Sequence, residues 1–226
     1  MLPKEQRKDL MTLGVIAAPS IWPNDPKHVT AQEIKNALKN NVQTAIEQIQ
    51  PKAKLNVDYD FTVSRDDHGA IIDTLDFTSS IAANRTVYVI VRSLDDSGYL
   101  KNVSNAKDVV FTQDTRSDIS TVDTIAAPLT VPAEDGNAVT EAEVRAALNP
   151  KVVDAVNALD PTPNVSINDL TYAIYTDEQA ETILPDTIDL VGDAYPVWII
   201  ITAESNNQKI WGKTQTPINV ILPKIV

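Results

Sequence analysis

The sequence Ile16-Ala17-Ala18-Pro19 occurs a second time as Ile125-Ala126-Ala127-Pro128, and roughly a hundred residues of matching pattern follow each occurrence. An internal repeat of this length indicates two similar domains, each long enough to bury a modest hydrophobic core. We therefore predict one repeat over residues 14–113 and a second over residues 124–226.

Two stretches fall outside the repeats. Residues 1–13 form a short charged leader that has no counterpart in the second copy, and we expect it to be disordered. Residues 114–123 are polar and lack strong periodicity, which is typical of a linker between domains.

Each copy carries the pattern of a capped amphipathic helix. Thr30 is followed three residues later by Glu33, and Thr140 by Glu143, which is the spacing of a capping box. Behind each cap, apolar residues recur at intervals of three and four and predict one buried stripe. Asn149-Pro150 interrupts the second stripe without shifting its phase, so we expect a bent helix or two short helices in line.

After each helix, apolar residues alternate with polar ones, which predicts strands with one face on a core and the other in water. The Ile-Ala-Ala-Pro segment contains proline, so we expect it to form an edge strand. Short pieces at 74–77 and 187–190 are candidates for a further edge strand. The main predicted strands cover residues 55–63, 86–92, 107–112, 170–174, 196–202 and 217–222.

Together these elements define the α+β class. We predict two similar domains, each a mostly antiparallel sheet of about four strands packed against one helix, which is straight or bent.

The composition narrows the functional classes. A formal net charge of -12 argues against binding to a nucleic-acid backbone, which needs clustered Lys and Arg side chains. The absence of cysteine removes disulfides, thiolate metal sites and thiol nucleophiles. The sequence contains no run of about 18 apolar residues, so it predicts no membrane-spanning helix.

The residues that usually carry catalysis are sparse. His28 and His68 are the only histidines; neither lies at a metal-ligand spacing, and we expect both in exposed loops. The aspartate pairs Asp66-Asp67 and Asp95-Asp96 precede glycine-containing turns and lack the pattern of a calcium loop. We therefore predict a non-enzymatic protein with no catalytic residue, no metal and no cofactor.

The strongest candidates for ligand contact are aromatic. If Val197 and its alternate neighbours face the helix, Trp198 faces away from it, as does Tyr88 in the first copy. Tyr175 has the same outward parity in its own strand. Such a face is suited to stacking on a sugar ring or to contact with a partner surface. The alternative is that a loop or the neighbouring repeat covers these side chains as ordinary packing.

Several short motifs resemble the repeat of the spiralin family, surface lipoproteins of certain wall-less bacteria. The closer copy is the second, and the end of the chain also resembles the end of that repeat. The motifs are Thr124-Ile125-Ala126-Ala127-Pro128, Ala138-Val139-Thr140-Glu141-Ala142-Glu143-Val144, Ala146-Ala147-Leu148 and Val220-Ile221-Leu222-Pro223-Lys224.

The resemblance implies an acidic protein on the extracellular side of the cell surface. Members of the family are anchored through an acylated N-terminal cysteine and are associated with attachment to an insect host and lectin-like binding of glycoproteins. This chain shows neither the signal nor the cysteine, so we expect membrane association only through a lipid anchor that is absent from it. The resemblance assigns no role to individual residues.

Our functional prediction is an adhesin-like protein that contacts host glycoproteins or glycans, or other surface proteins. The candidate contact residues are Trp198, Tyr175 and Tyr88. The alternative is a structural surface-coat protein without a specific ligand. Concentration-dependent assembly without any glycan dependence would favour that alternative.

Overall fold

The structure, a computed structural model, describes residues 3 and 6–225. The chain divides into two compact units, Met1–Thr115 (unit 1) and Arg116–Val226 (unit 2). Each unit buries its own cluster of apolar side chains. The two units repeat the same order of elements, so each is described by itself.

The two long helices begin at the predicted caps. Helix α1 spans Ala31–Glu47 and helix α2 spans Glu141–Asn157. In both, the N-cap threonine accepts a hydrogen bond from the backbone N–H of the glutamate three residues on, and that glutamate accepts one from the threonine N–H. The predicted capping boxes are therefore confirmed in both copies.

Helix α2 is continuous through Pro150, so of the two predicted alternatives the structure has one helix and not two short ones. A proline inside a helix removes one backbone hydrogen bond and costs about 3 kcal/mol. Leu148 and Val152, on either side of it, are fully buried in the same core. Burying two such side chains contributes about 1.5–3 kcal/mol each, which is enough to offset the lost bond.

Unit 1 contains a three-stranded antiparallel sheet in the order β3-β5-β7, a two-stranded antiparallel ladder β2-β4 and a parallel pair β1-β6. Helix α1 buries its apolar stripe in the same core as the sheet. The strands are β1 (Lys8–Asp9), β2 (Val29–Thr30), β3 (Tyr59–Ser64), β4 (Thr74–Leu75), β5 (Thr86–Ser93), β6 (Leu100–Lys101) and β7 (Lys107–Val110).

Unit 2 repeats this arrangement with the sheet β10-β12-β14, the ladder β9-β11 and the parallel pair β8-β13. Its strands are β8 (Ser117–Asp118), β9 (Val139–Thr140), β10 (Leu170–Tyr175), β11 (Thr187–Ile188), β12 (Tyr195–Ala203), β13 (Ile210–Trp211) and β14 (Ile218–Leu222). The α+β class and the sheet-plus-helix arrangement are confirmed.

The main sheet has three strands where about four were expected, because the Ile-Ala-Ala-Pro segment does not form a strand in either unit. Ile16 and Ile125 are buried, whereas the two alanines after each are exposed. The proline that follows is partly buried in unit 1 and buried in unit 2, so each segment is held by isolated side chains and not by strand pairing. The first long strand also begins later than predicted, at Tyr59, because Asn56 adopts a left-handed φ of 62° and Val57 is 61% exposed.

Residues 8–13 of the expected leader and residues 117–119 of the expected linker are parts of the folded units. Strand β1 pairs with β6, and Leu10 and Leu13, which follow it, are buried. Strand β8 pairs with β13, and Ile119 after it is also buried. These short pairs join residues far apart in sequence and have no periodicity, so a local pattern does not reveal them. Met1, Leu2, Lys4, Glu5 and Val226 lie outside the described residues.

Candidate functional site

The central strand β12 determines which side chains face away from the core of unit 2. Val197, Ile199 and Ile201 are fully buried on the side that meets helix α2, as the strand parity predicted. Trp198 and Ile200 alternate with them and are only partly buried. Successive side chains of a strand point to opposite faces, so these two lie on the outer face of the sheet.

Trp198 has an aromatic neighbour directly across the sheet. Tyr175 is its register partner on strand β10 and is also partly buried. Directly opposite residues in an antiparallel pair share a face and lie within contact distance. We call Trp198 and Tyr175 the aromatic pair.

The aromatic pair is part of a row of cross-strand neighbours that runs from one edge of the sheet to the other. Ile183 bridges to Tyr175, and Asn219 of strand β14 is the partner of Trp198 on its other side. Ile183 is 65% exposed and Asn219 is exposed. The row therefore combines two partly buried rings with an exposed aliphatic side chain at one end and an amide at the other.

The polar atoms of the aromatic pair are not used inside the protein. Within the described part of the chain, neither the Tyr175 hydroxyl nor the Trp198 Nε1–H group makes a hydrogen bond. Buried Tyr and Trp polar groups usually find a protein partner, whereas here both face water. They are available to bind hydroxyl or carbonyl groups of a ligand.

Unit 1 has a different surface at the corresponding place. Tyr88 is partly buried on the outer face of strand β5, and its register partners are Ser64 and Asp108. The Ser64 hydroxyl donates to the main-chain oxygen atoms of Asp66 and Tyr88. Of the three predicted contact residues, Trp198 and Tyr175 are therefore brought together, and Tyr88 lies on the equivalent face of the other unit without an aromatic register partner.

The two histidines lie in exposed positions, as predicted. Their side chains are 68% and 88% exposed, and they sit 2.9 Å from Asp25 and 3.5 Å from Asp67 respectively. Across residues 3 and 6–225, no group of three or more His, Asp or Glu side chains is placed to hold a metal ion.

The Asp66 carboxylate organises a turn, as the sequence predicted. It accepts backbone N–H hydrogen bonds from Ala70 and His68, each at 3.0 Å. The Ala70 bond is the main cause that lowers the pKa of Asp66, and the His68 bond adds to it. Asp177 does the same in unit 2, where the N–H of Glu181 is the main cause of a lowered pKa. Both carboxylates therefore accept hydrogen bonds from the backbone of their own turns.

Sequence reasoning missed a cation–aromatic contact that occurs in both units. The Arg145 guanidinium lies 4.8 Å from the ring centre of Tyr172, and the Lys35 ammonium lies 5.2 Å from that of Phe61. Arg145 also bonds Glu141 at 2.7 Å and the Tyr172 main-chain oxygen at 3.0 Å. The ring contact and the bond to the Tyr172 main-chain oxygen join helix α2 to strand β10. The sequence feature that could have predicted this contact is the presence of a cationic residue and an aromatic residue at matching positions of both copies.

Sequence reasoning also missed a small aromatic cavity in unit 1. The rings of Phe77 and Phe111 stack at 4.9 Å, and Trp22 lines the same cavity of about 70 Å³. Its residues come from three separate segments, so no local motif indicates it. The corresponding positions of unit 2 carry aliphatic residues such as Leu190 and Leu222, which are buried.

The fold and the outer face describe a tandem α+β protein whose sheets present one face away from the core. Residues 6–112 match the family model of the Spiralin domain. Unit 1 therefore belongs to the spiralin family, which confirms the family assignment for the first copy. The matched residues do not include the second copy, which carries the motifs that resemble the family more closely. A comparison with curated proteins finds no match.

The family assignment indicates a surface protein of wall-less bacteria. Spiralins are cell-surface lipoproteins and are not known as enzymes. Among the described residues, neither long helix has the length and apolar character needed to cross a membrane.

Proposed function

We propose that this protein is a non-enzymatic surface protein that binds host glycoproteins or glycans through the aromatic pair of unit 2. The observation that carries the proposal is the direct cross-strand pairing of Trp198 with Tyr175 on the outer face of the sheet. Their polar atoms make no hydrogen bond within the described chain, which leaves them available to a ligand.

The chemistry of this face suits a sugar ring. Aromatic rings pack against the apolar C–H face of a sugar, while the tyrosine hydroxyl, the indole N–H and the nearby Asn219 amide match sugar hydroxyl groups. Both rings stand on paired strands, so little freedom is lost when a ligand binds. We expect weak binding at one site, strengthened when many copies on a cell contact a multivalent glycoprotein.

The test is binding of the purified full chain to a glycan array and to host glycoproteins before and after enzymatic removal of their glycans. The proposal predicts binding to a defined set of glycans and loss of glycoprotein binding after deglycosylation. Binding that survives deglycosylation would redirect the proposal to protein contacts, and the absence of any binding would contradict it.

A structural surface-coat protein is the second candidate, favoured by a separate observation. Three large apolar side chains are among the most exposed in the described chain, namely Val15 at 86%, Ile71 at 87% and Leu129 at 90%. Exposed apolar side chains favour contacts between proteins. Assembly that depends on protein concentration but not on glycans would support this candidate.

A further inference from the structure

The Ile-Ala-Ala-Pro segments leave their backbone without main-chain partners. Within the described residues, the main chain of residues 14–21 and of residues 123–130 makes no hydrogen bond to another main-chain group. The Ala17 carbonyl oxygen accepts only a side-chain bond, from Asn41 Nδ2 at 2.9 Å. Apart from the proline nitrogens, the N–H and C=O groups of these segments are therefore available to bond a further chain.

Exposed apolar side chains lie on the same two segments. Val15 immediately precedes the first Ile-Ala-Ala-Pro sequence and is 86% exposed. Leu129 immediately follows the second and is 90% exposed. Apolar exposure and unpaired backbone are independent features, and they coincide here.

Unit 1 adds a groove beside its segment. A depression of about 230 Å³ lies between Val15 and Ala17 on one side and helix α1 on the other, where Asn40, Asn41 and Gln48 line it. Within the described residues, the side-chain amides of Asn40 and Gln48 make no hydrogen bond. Side-chain amides carry both donors and acceptors, which suits them to bind a peptide backbone.

The distribution of charge favours residues 124–130 of a second copy of this chain as the occupant of the groove. The whole chain carries a net charge of -12, so most approaches between two copies meet repulsion. The residues that line the groove are uncharged, and residues 124–130 contain no charged side chain. A contact between these two neutral surfaces places no like charges directly opposite each other.

We propose that copies of this chain associate head to tail, with the groove of unit 1 in one copy binding residues 124–130 of a second copy. Leu129 of the second copy packs on Val15, and the amides of Asn40 and Gln48 bond the backbone of the bound segment. The positions of α2 that correspond to Asn40 and Asn41 carry Pro150 and Lys151, so unit 2 does not repeat this amide lining. An interface between two different surfaces builds either closed rings or open chains.

The first test is sedimentation of the full chain over a range of concentrations. The proposal predicts that the average mass rises with concentration, and that Leu129→Asp weakens association at least about tenfold because a leucine is no longer buried. Ile71→Asp is the matched control, since Ile71 is 87% exposed but lies outside the groove and the segment. A chain that stays monomeric, or equal effects of the two substitutions, would overturn the proposal.

The second test alters the groove without changing its shape. Asn40→Asp combined with Gln48→Glu removes two amide donors and adds two charges, and we expect association to weaken as strongly as in Leu129→Asp. Asn206→Asp combined with Gln208→Glu makes the same chemical change at two exposed residues outside the groove and should leave association unchanged. Unfolding curves of all variants confirm that each remains folded.

The third test distinguishes head-to-tail association from symmetric pairing. Leu129→Asp retains a functional groove, and the groove variant retains a functional segment. In an equimolar mixture, the intact groove of Leu129→Asp can bind the intact segment of the groove variant. The two remaining surfaces of that pair are both altered, so the mixture should form heterodimers and nothing larger. A mixture that stays monomeric contradicts the head-to-tail arrangement. None of these variants alters the aromatic pair, so glycan binding can succeed or fail independently.

Discussion

Thr30 and Thr140 determine where the two helices begin. Each occupies the N-cap, and its hydroxyl accepts the N–H of a glutamate three residues later at 3.3 Å. The glutamate side chain returns a 2.8 Å bond to the threonine N–H. Two donors that the first helical turn cannot satisfy are thus paired at each site.

We predict that Thr30→Ala and Thr140→Ala each lower the free energy of unfolding of their own unit by about 1 kcal/mol. Lys39→Ala, an exposed change on α1, is the control and should have little effect. Urea denaturation of the full chain measures all three. Two capping variants that unfold like the wild type would show that the caps do not contribute to stability.

Tyr59 provides a prediction about alkaline pH. Its side chain is fully buried, its hydroxyl donates to Gln43 Oε1, and burial is the main cause that raises its pKa from 10.0 to about 12, with Glu47 and Asp58 adding to the shift. The folded state therefore holds this proton more tightly than the unfolded state. The stabilisation is complete below pH 10 and is lost as the pH rises towards 12.

We accordingly expect the stability of the wild type to fall more steeply between pH 10 and pH 12 than that of Tyr59→Phe. Thr62→Ala, an exposed change on strand β3 that removes no titratable group, should retain the wild-type steepness. Denaturation at several pH values measures the slopes. Equal slopes for the wild type and Tyr59→Phe would contradict the prediction.

At the scale of elements, a buried carboxylate holds two loops of unit 1 together. Asp58 precedes strand β3, and its side chain accepts bonds from the Lys54 N–H at 3.0 Å, the Gly98 N–H at 3.2 Å and the Ser97 hydroxyl at 3.1 Å. Gly98 and Ser97 follow strand β5. These bonds join the loop before strand β3 to the loop after strand β5, its neighbour in the sheet.

Asp58→Asn keeps the shape of the side chain but places an NH2 group among donors. We predict a loss of about 1–3 kcal/mol in the unfolding free energy of unit 1, because buried donors lose their acceptor. Asp108→Asn, exposed on strand β7, should change stability little. Thermal or urea unfolding of the two variants measures this difference. Equal stabilities of Asp58→Asn and Asp108→Asn would contradict the prediction.

The elements that the sequence predicts well are those with strong periodicity. The capping boxes, the apolar stripes of α1 and α2 and the inward residues of β5 and β12 could be inferred because each repeats a local pattern over many residues. Strands β1 and β8 could not, because each has two residues and pairs with a distant segment.

The candidate site was predictable only in part. Parity along β12 places Trp198 outward, and the same reasoning places Tyr175 outward along β10. Their direct pairing depends on the register between the strands, which a single strand pattern does not contain. The aromatic cavity around Trp22 depends on tertiary packing in the same way.

At the scale of the whole molecule, the two units share a core pattern and differ on the surface. Tyr175 and Trp198 of unit 2 correspond to Ser64 and Tyr88 of unit 1, so the paired rings occur in one unit alone. A tandem repeat can keep one architecture for folding while each copy acquires its own contacts.

Separate cores predict independent folding. We expect fragments 1–115 and 116–226 to unfold cooperatively when each is expressed alone, because each retains a complete apolar cluster, a capped helix and a three-stranded sheet. Arg116 belongs with the second fragment, since its guanidinium donates to the Asn207 main-chain oxygen at 2.8 Å. Circular dichroism during urea titration provides the measurement. A fragment with an unfolded spectrum would refute independent folding.

The central claim is that the outer face of unit 2 contacts a ligand, and Trp198→Ala tests it most directly when glycoprotein affinity and unfolding free energy are measured on the same variant. The account predicts weaker binding with the fold intact, while Tyr88→Ala in unit 1 leaves binding nearly unchanged. Loss of about 3–5 kcal/mol of stability would mean that Trp198 serves as core packing. That result, or unchanged stability together with unchanged binding, would contradict the claim.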